Sequence, residues 1–154
     1  MKDELKIKKT KGFTLVELLV VISIMGILTV ISLASFVSAQ VKARDAQRKS
    51  DLGQVSKALM LYYSDTGTFP ATFEFGDEEP GFKVGETIYM RKTPQDPKTP
   101  AVYIYKTDGK SFNLFANLEN KKDSQCPQPP PYTIGTDGYC YGVASPNTIL
   151  KNWP

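Results

Sequence analysis

The sequence contains no histidine. This absence removes Ser-His-Asp triads, Cys-His dyads and every imidazole-based metal centre. There is no Gly-rich phosphate loop either. A carboxylate pair such as Asp96 with Asp108 could move protons in principle, but nothing around either residue suggests a cleft. The chain therefore reads as non-enzymatic, with no catalytic residue. Its only cysteines, Cys126 and Cys140, are too few to hold a structural zinc. An excess of basic charge is also missing beyond the first dozen residues. Residues 1–12 hold five lysines against Asp3 and Glu4, and the remainder carries 14 residues of each sign. A body without a basic stripe is not expected to bind nucleic acid.

Between Phe13 and Val37 there is neither Pro nor Lys nor Arg, and Glu17 is the sole charge. At ~1.5 Å per helical residue the run is long enough to cross a hydrocarbon core of ~30 Å. Its apolar residues surround the helix without a polar face, and Ser23, Thr29, Ser32 and Ser35 can bond back to their own helix carbonyls. A plain signal anchor is the simplest reading. Cleavage behind the run is not expected, because it passes directly into a polar helix rather than a small-residue cleavage site. The lysines ahead of it place residues 1–12 in the cytoplasm and everything after about Ser38 outside.

Glu17 does not suit a simple anchor. An ionisable group in an apolar span costs roughly 2.5–3.5 kcal/mol at mid-bilayer, less near an end, and marks a functional contact. If the chain is cut between Gly12 and Phe13, the new α-amino group of Phe13 lies one helical turn from Glu17 and can equally meet Glu17 of a neighbouring copy.

The segment Lys11-Gly12-Phe13-Thr14-Leu15-Val16-Glu17 resembles the processing site of type IV pilins and of the pseudopilins of type II secretion systems. The resemblance implies that a prepilin peptidase cleaves after Gly12 and methylates Phe13, leaving the apolar helix on the mature protein. It also implies that Glu17 pairs with a neighbour's N-terminus. The partners that follow are lipid of the cytoplasmic membrane before assembly, an inner-membrane assembly platform, and copies of the same chain in a helical filament on the cell surface or in the periplasm. Family pilins often carry a proline near the middle of the apolar half; Ala34 stands at the matching place. Gly26 remains a point where the helix can soften.

From Ser38 the helix continues without a breaker. Leu52, Val55, Leu59 and Tyr62 form an apolar stripe, and Lys42, Arg44, Asp51 and Lys57 mark the polar side. Ser64-Asp65-Thr66-Gly67 ends it, with Gly67 as C-terminal cap. Residues 68–100 are rich in Pro and Gly and read as a loop region with at most short elements, anchored by Phe69, Phe73, Phe75 and Phe82. The acidic run Asp77-Glu78-Glu79 reads as a solvated face. Strands are expected at Ala101–Tyr105 and Ser111–Leu118 around a tight turn at Asp108-Gly109. A second hairpin joins Tyr132–Ile134 to Tyr139–Val143. The aromatic residues Tyr132, Tyr139, Tyr141 and Trp153 are expected to cover the sheet face.

The resulting fold class is α+β: a long N-terminal helix, apolar in its first half and amphipathic in its second, packed on a small antiparallel sheet, the pilin fold. The organisation is a leader over 1–12, a transmembrane and assembly helix over 13–37, its amphipathic continuation over 38–66, an αβ-loop over 67–100, and a sheet with a cysteine-containing region over 101–154. A disulfide between Cys126 and Cys140 is expected in an external compartment, with two reduced thiols as the alternative. The resemblance to major pseudopilins, carried by Lys92-Thr93-Pro94-Gln95-Asp96-Pro97 before Tyr103-Ile104-Tyr105, implies calcium in a C-terminal loop. Glu119, Asn120 and Asp123 are the nearest ligand candidates, and two lysines stand among them. No cofactor is expected from the residues themselves, and calcium is the one alternative that the resemblance leaves open. The competing functions are a monomeric anchored binding module and a minor pilin of a DNA-uptake system.

Overall fold

The computed structural model describes residues 12–76, 79, 81–98, 103–126, 129–134 and 137–150. The leader ahead of Gly12, the acidic pair Asp77-Glu78, Ala101 and Val102, the turn residues Gly135 and Thr136, and Trp153 lie outside them. The chain divides into two compact units, Met1–Ala39 and Gln40–Pro154.

One helix, α1, runs over Leu15–Thr66, 52 residues. No proline interrupts it, and Gly67 ends it with a positive φ of 74° that a side chain would strain. The Gly67 N–H donates to the Tyr63 carbonyl (2.8 Å), and the Thr66 hydroxyl donates to that of Tyr62 (2.8 Å), so the last turn leaves fewer carbonyls unpaired.

In the unit ending at Ala39, every large apolar side chain from Phe13 to Val37 is exposed, from 44% at Val21 to 79% at Leu15. Ser23, Thr29 and Ser32 donate to the carbonyls of Leu19, Met25 and Leu28 at 2.7–2.8 Å. Their hydroxyls are thus satisfied inside the helix, as a span through hydrocarbon requires.

The unit starting at Gln40 holds seven short strands among the described residues: β1 (Phe82–Val84), β2 (Thr87–Met90), β3 (Ile104–Thr107), β4 (Phe112–Ala116), β5 (Tyr132–Ile134), β6 (Asp137–Tyr139) and β7 (Tyr141–Ala144). They form the antiparallel hairpins β1–β2 and β5–β6 and a three-stranded sheet in the order β3-β4-β7. The core joins Leu52, Val55 and Leu59 of α1 to Phe69, Tyr103, Phe112, Leu114 and Ala116. Each of the Leu, Val and Phe side chains contributes about 1.5–3 kcal/mol of transfer free energy when fully buried.

All five residues of β4 are buried because both of its faces are covered. Phe112, Leu114 and Ala116 join the helix side of the core. On the opposite face Phe115 meets the rings of Tyr132 (5.6 Å) and Tyr139 (6.1 Å), so the β5–β6 hairpin lies over it, as the aromatic pattern led us to expect. Phe73, Phe75 and Phe82 pack against the core, and Phe69 is within it.

The structure corrects four expectations. The second hairpin is not continuous: the run expected to form one strand from Tyr139 to Val143 breaks at Cys140, and its later part leaves β5 to pair with β4 as β7. The turn between β3 and β4 is longer than a tight turn at Asp108-Gly109 alone, since Thr107 pairs with Phe112 and residues 108–111 make the connection. Only Gly109 has positive φ (81°), and the Asp108 carboxylate closes the loop by accepting from the N–H groups of Lys110 and Ser111. Tyr62 faces the β1–β2 hairpin, with its ring 5.4 Å from Phe82 and 5.3 Å from Tyr89, rather than the three-stranded sheet. Asp51 is buried, not part of the solvated face, because the Tyr103 hydroxyl reaches it at 2.7 Å.

Candidate assembly and processing site

In the processing segment, Gly12 and Phe13 are both exposed and lie ahead of the helix. Thr14 caps α1. The Glu17 N–H donates to Thr14 Oγ1 (3.2 Å), and the Thr14 N–H donates back to Glu17 Oε2 (2.8 Å). This is a reciprocal capping box, which satisfies donors that the first turn otherwise leaves open. The Thr14 hydroxyl also donates to Glu17 Oε2 (2.7 Å). One carboxylate oxygen therefore takes both bonds. Among the described residues Oε1 accepts none. The spacing Thr14-x-x-Glu17 is the signal for such a box in the sequence.

The remaining site residues belong to the other unit. Cys126 and Cys140 are joined by a disulfide, with Cα atoms 4.6 Å apart, in a small buried cluster with Leu118. The bond sits where the chain crosses from β6 to β7.

Glu119, Asn120 and Asp123, the calcium candidates, lie on a turn held by charges of α1. Arg44 grips Glu119 through both oxygens, Nε to Oε1 at 2.7 Å and Nη2 to Oε2 at 2.8 Å. Arg48 adds Nη1 to Oε1 at 2.9 Å, and Lys98 reaches Oε2 at 3.2 Å. Asp123 accepts from Lys49 (2.8 Å) through one oxygen and from the Gln125 N–H (2.9 Å) through the other. Asn120 Oδ1 accepts from the Lys122 N–H at 3.2 Å. Hydrogen bonds from Arg44 hold the Glu119 carboxyl far below the usual carboxylate range, against a smaller opposing effect of burial. The Lys49 ammonium likewise lowers that of Asp123. Calcium needs six to eight oxygens with free lone pairs and net negative charge. These residues do not fit it, since the chain's own cations and N–H groups already occupy their carboxylate oxygens, and no group of three or more His, Cys, Asp or Glu that could hold a metal ion occurs among the described residues.

Arg48 is the centre of this network and is almost fully buried. Its Nε and Nη2 form a bidentate pair with Asp96 at 2.7 and 2.8 Å, and its Nη1 also meets Asp45 at 2.8 Å. Asp45 in turn accepts the N–H groups of Glu119 (2.9 Å) and Asn120 (2.8 Å). Asp96 and Asp108 thus have separate structural duties, one in an ion pair and one in a turn. Sequence reasoning missed Asp45 and Arg48, although they extend the stripe Leu52, Val55, Leu59 backward at helical spacing. Charge made them look solvated.

Comparison with known proteins draws both regions together. A family profile described as "Prokaryotic N-terminal methylation motif" matches residues 7–33. The type II secretion system core protein G of Klebsiella pneumoniae is 33% identical over 155 residues, covering 95% of this chain and 96% of that protein. The chain belongs to the type IV pilin and pseudopilin family. The core protein G of Pseudomonas aeruginosa is 27% identical over 119 residues, 71% of this chain and 83% of the relative. The type IV major pilin protein PilA of Myxococcus xanthus is 32% identical over 57 residues, 37% of this chain and 26% of that protein. No solved structure gives a significant match. Pilin-family chains are structural rather than enzymatic. Membership implies processing by a prepilin peptidase, anchoring by the apolar helix and later filament assembly outside the cytoplasm.

Proposed function

We propose that this chain is a structural subunit of a type II secretion-like pseudopilus or a type IV pilus. It is inserted with residues 1–12 in the cytoplasm, cut between Gly12 and Phe13, methylated on Phe13, and polymerised through its N-terminal helix. The observation that carries the reading is the apolar helix of the first unit, exposed on every side and headed by one carboxylate. So much apolar surface requires lipid or other copies of the same helix.

Glu17 suits the second environment. Its Oε2 is engaged by Thr14, and its Oε1 is available to an incoming amine. An ammonium created by cleavage at Phe13 of a neighbouring subunit supplies the missing cation, and in hydrocarbon such a pair enforces register because an unpaired charge there is expensive. The assembly platform of the cytoplasmic membrane completes the set of partners, and no nucleic acid is among them. The near end-to-end match with core protein G favours the pseudopilus over the pilus.

N-terminal sequencing and intact mass of protein extracted from membranes check this directly. The reading expects a mature chain that starts at N-methylated Phe13. A chain that retains Met1, or one cut beyond Val37, overturns it.

A further inference from the structure

The loop that family resemblance assigns to calcium is closed by the chain's own cations. Four carboxylates, Asp45, Asp96, Glu119 and Asp123, face four cationic side chains, Arg44, Arg48, Lys49 and Lys98, at 2.7–3.2 Å. Formal charge in the cluster is therefore balanced before any metal arrives. A divalent ion would have to displace two guanidinium groups and an ammonium from the same oxygens, while gaining only the oxygens those groups already use. The backbone is tied as well, since both oxygens of Asp45 accept successive N–H groups of the turn, those of Glu119 and Asn120.

We propose that the turn 118–126 is fastened to α1 by this arginine and lysine clasp in place of a metal, so that the globular unit folds and resists proteolysis independently of calcium. The clasp works from two sides. Arg48 is buried and joins the turn to Asp96, 48 residues away along the chain, whereas Arg44 and Lys49 are partly exposed and pin the turn's two carboxylates from neighbouring helical turns. The disulfide at Cys126 closes the far end of the same turn. The inference concerns residues 40–150 alone and stands or falls separately from filament assembly.

The experiment uses the full chain in detergent micelles. Thermal unfolding and limited proteolysis are recorded with calcium and with chelator, and backbone hydrogen exchange is read at residues 118–126 in the native protein and in Lys49→Gln, a partly exposed position whose loss the fold should tolerate. The expected result is the same melting temperature and digestion pattern with calcium and with chelator. In Lys49→Gln, exchange at the turn should be faster by roughly two- to fivefold, as for loss of one partly exposed ion pair, and added calcium should not restore it. A melting temperature that rises with calcium or falls with chelator overturns the proposal. So does native-like protection of the turn in Lys49→Gln, or its recovery on adding calcium.

Discussion

Residues 15–37 and residues 40–66 are parts of a single helix, yet they solve opposite problems. In the first, every large apolar side chain is exposed, and the hydroxyls of Ser23, Thr29 and Ser32 are folded back on the helix. In the second, Leu52, Val55 and Leu59 are fully buried, and even charged residues, Asp45, Arg48 and Asp51, are inside. The difference teaches that helix formation is not what distinguishes the two halves. The surroundings each requires are different: hydrocarbon or sister helices for one, and a covalently attached sheet for the other.

Removing a buried charge should break the second half most severely. Arg48→Met leaves Asp45, Asp96 and Glu119 facing one another, and we expect a loss of about 3–5 kcal/mol, measured as the urea midpoint by near-ultraviolet circular dichroism. Leu59→Ala should cost about 2–5 kcal/mol in the same assay through the cavity it opens. Leu28→Ala, on the exposed half, should leave that transition unchanged within ~0.5 kcal/mol, because its side chain is exposed. Reduction of Cys126–Cys140 should lower stability by about 3 kcal/mol, as expected for a loop with a sequence separation of 14.

Acid sharpens the comparison further. Glu119 and Asp123 have pKa values lowered in the folded unit from their ordinary 4.5 and 3.8, so their contribution is full above those values and fades as pH falls below them toward the folded values. The globular unit should therefore lose stability progressively below about pH 4.5, read from urea midpoints across a pH series. Asp51 has the opposite sign. Burial raises its pKa from 3.8, so the stability tied to its protonated form is present below that value and is lost as pH rises through the raised one. Asp51→Asn should stabilise the unit at pH 7 by no more than ~1 kcal/mol, with the advantage vanishing near pH 3.

What could be read from the sequence followed from periodicity and punctuation. The apolar run, the stripe Leu52, Val55, Leu59, the cap at Gly67 and the strands around Gly109 are local signals, and each has its counterpart in the structure. The break at Cys140 was not readable, since a strand of alternating aromatics gives no sign of which sheet it joins; β4 offered a free edge opposite β3 and captured β7. Arg48 was missed because its main partner, Asp96, is distant in sequence, and local patterning treats a lone arginine as solvated. The capping role of Thr14 is legible in the spacing Thr14-x-x-Glu17, but a lone charge at the head of an apolar span is also explained by a partner outside the chain, and the spacing alone does not choose between the two.

On the proposed function, the Glu17 carboxylate at the head of an otherwise apolar helix drives assembly of copies. The most direct measurement is the yield of sedimentable filaments from cells that produce Glu17→Ala, normalised to the membrane-inserted protein. The account predicts normal insertion with filaments abolished or strongly reduced; filament yield equal to that of the unmodified chain would contradict it.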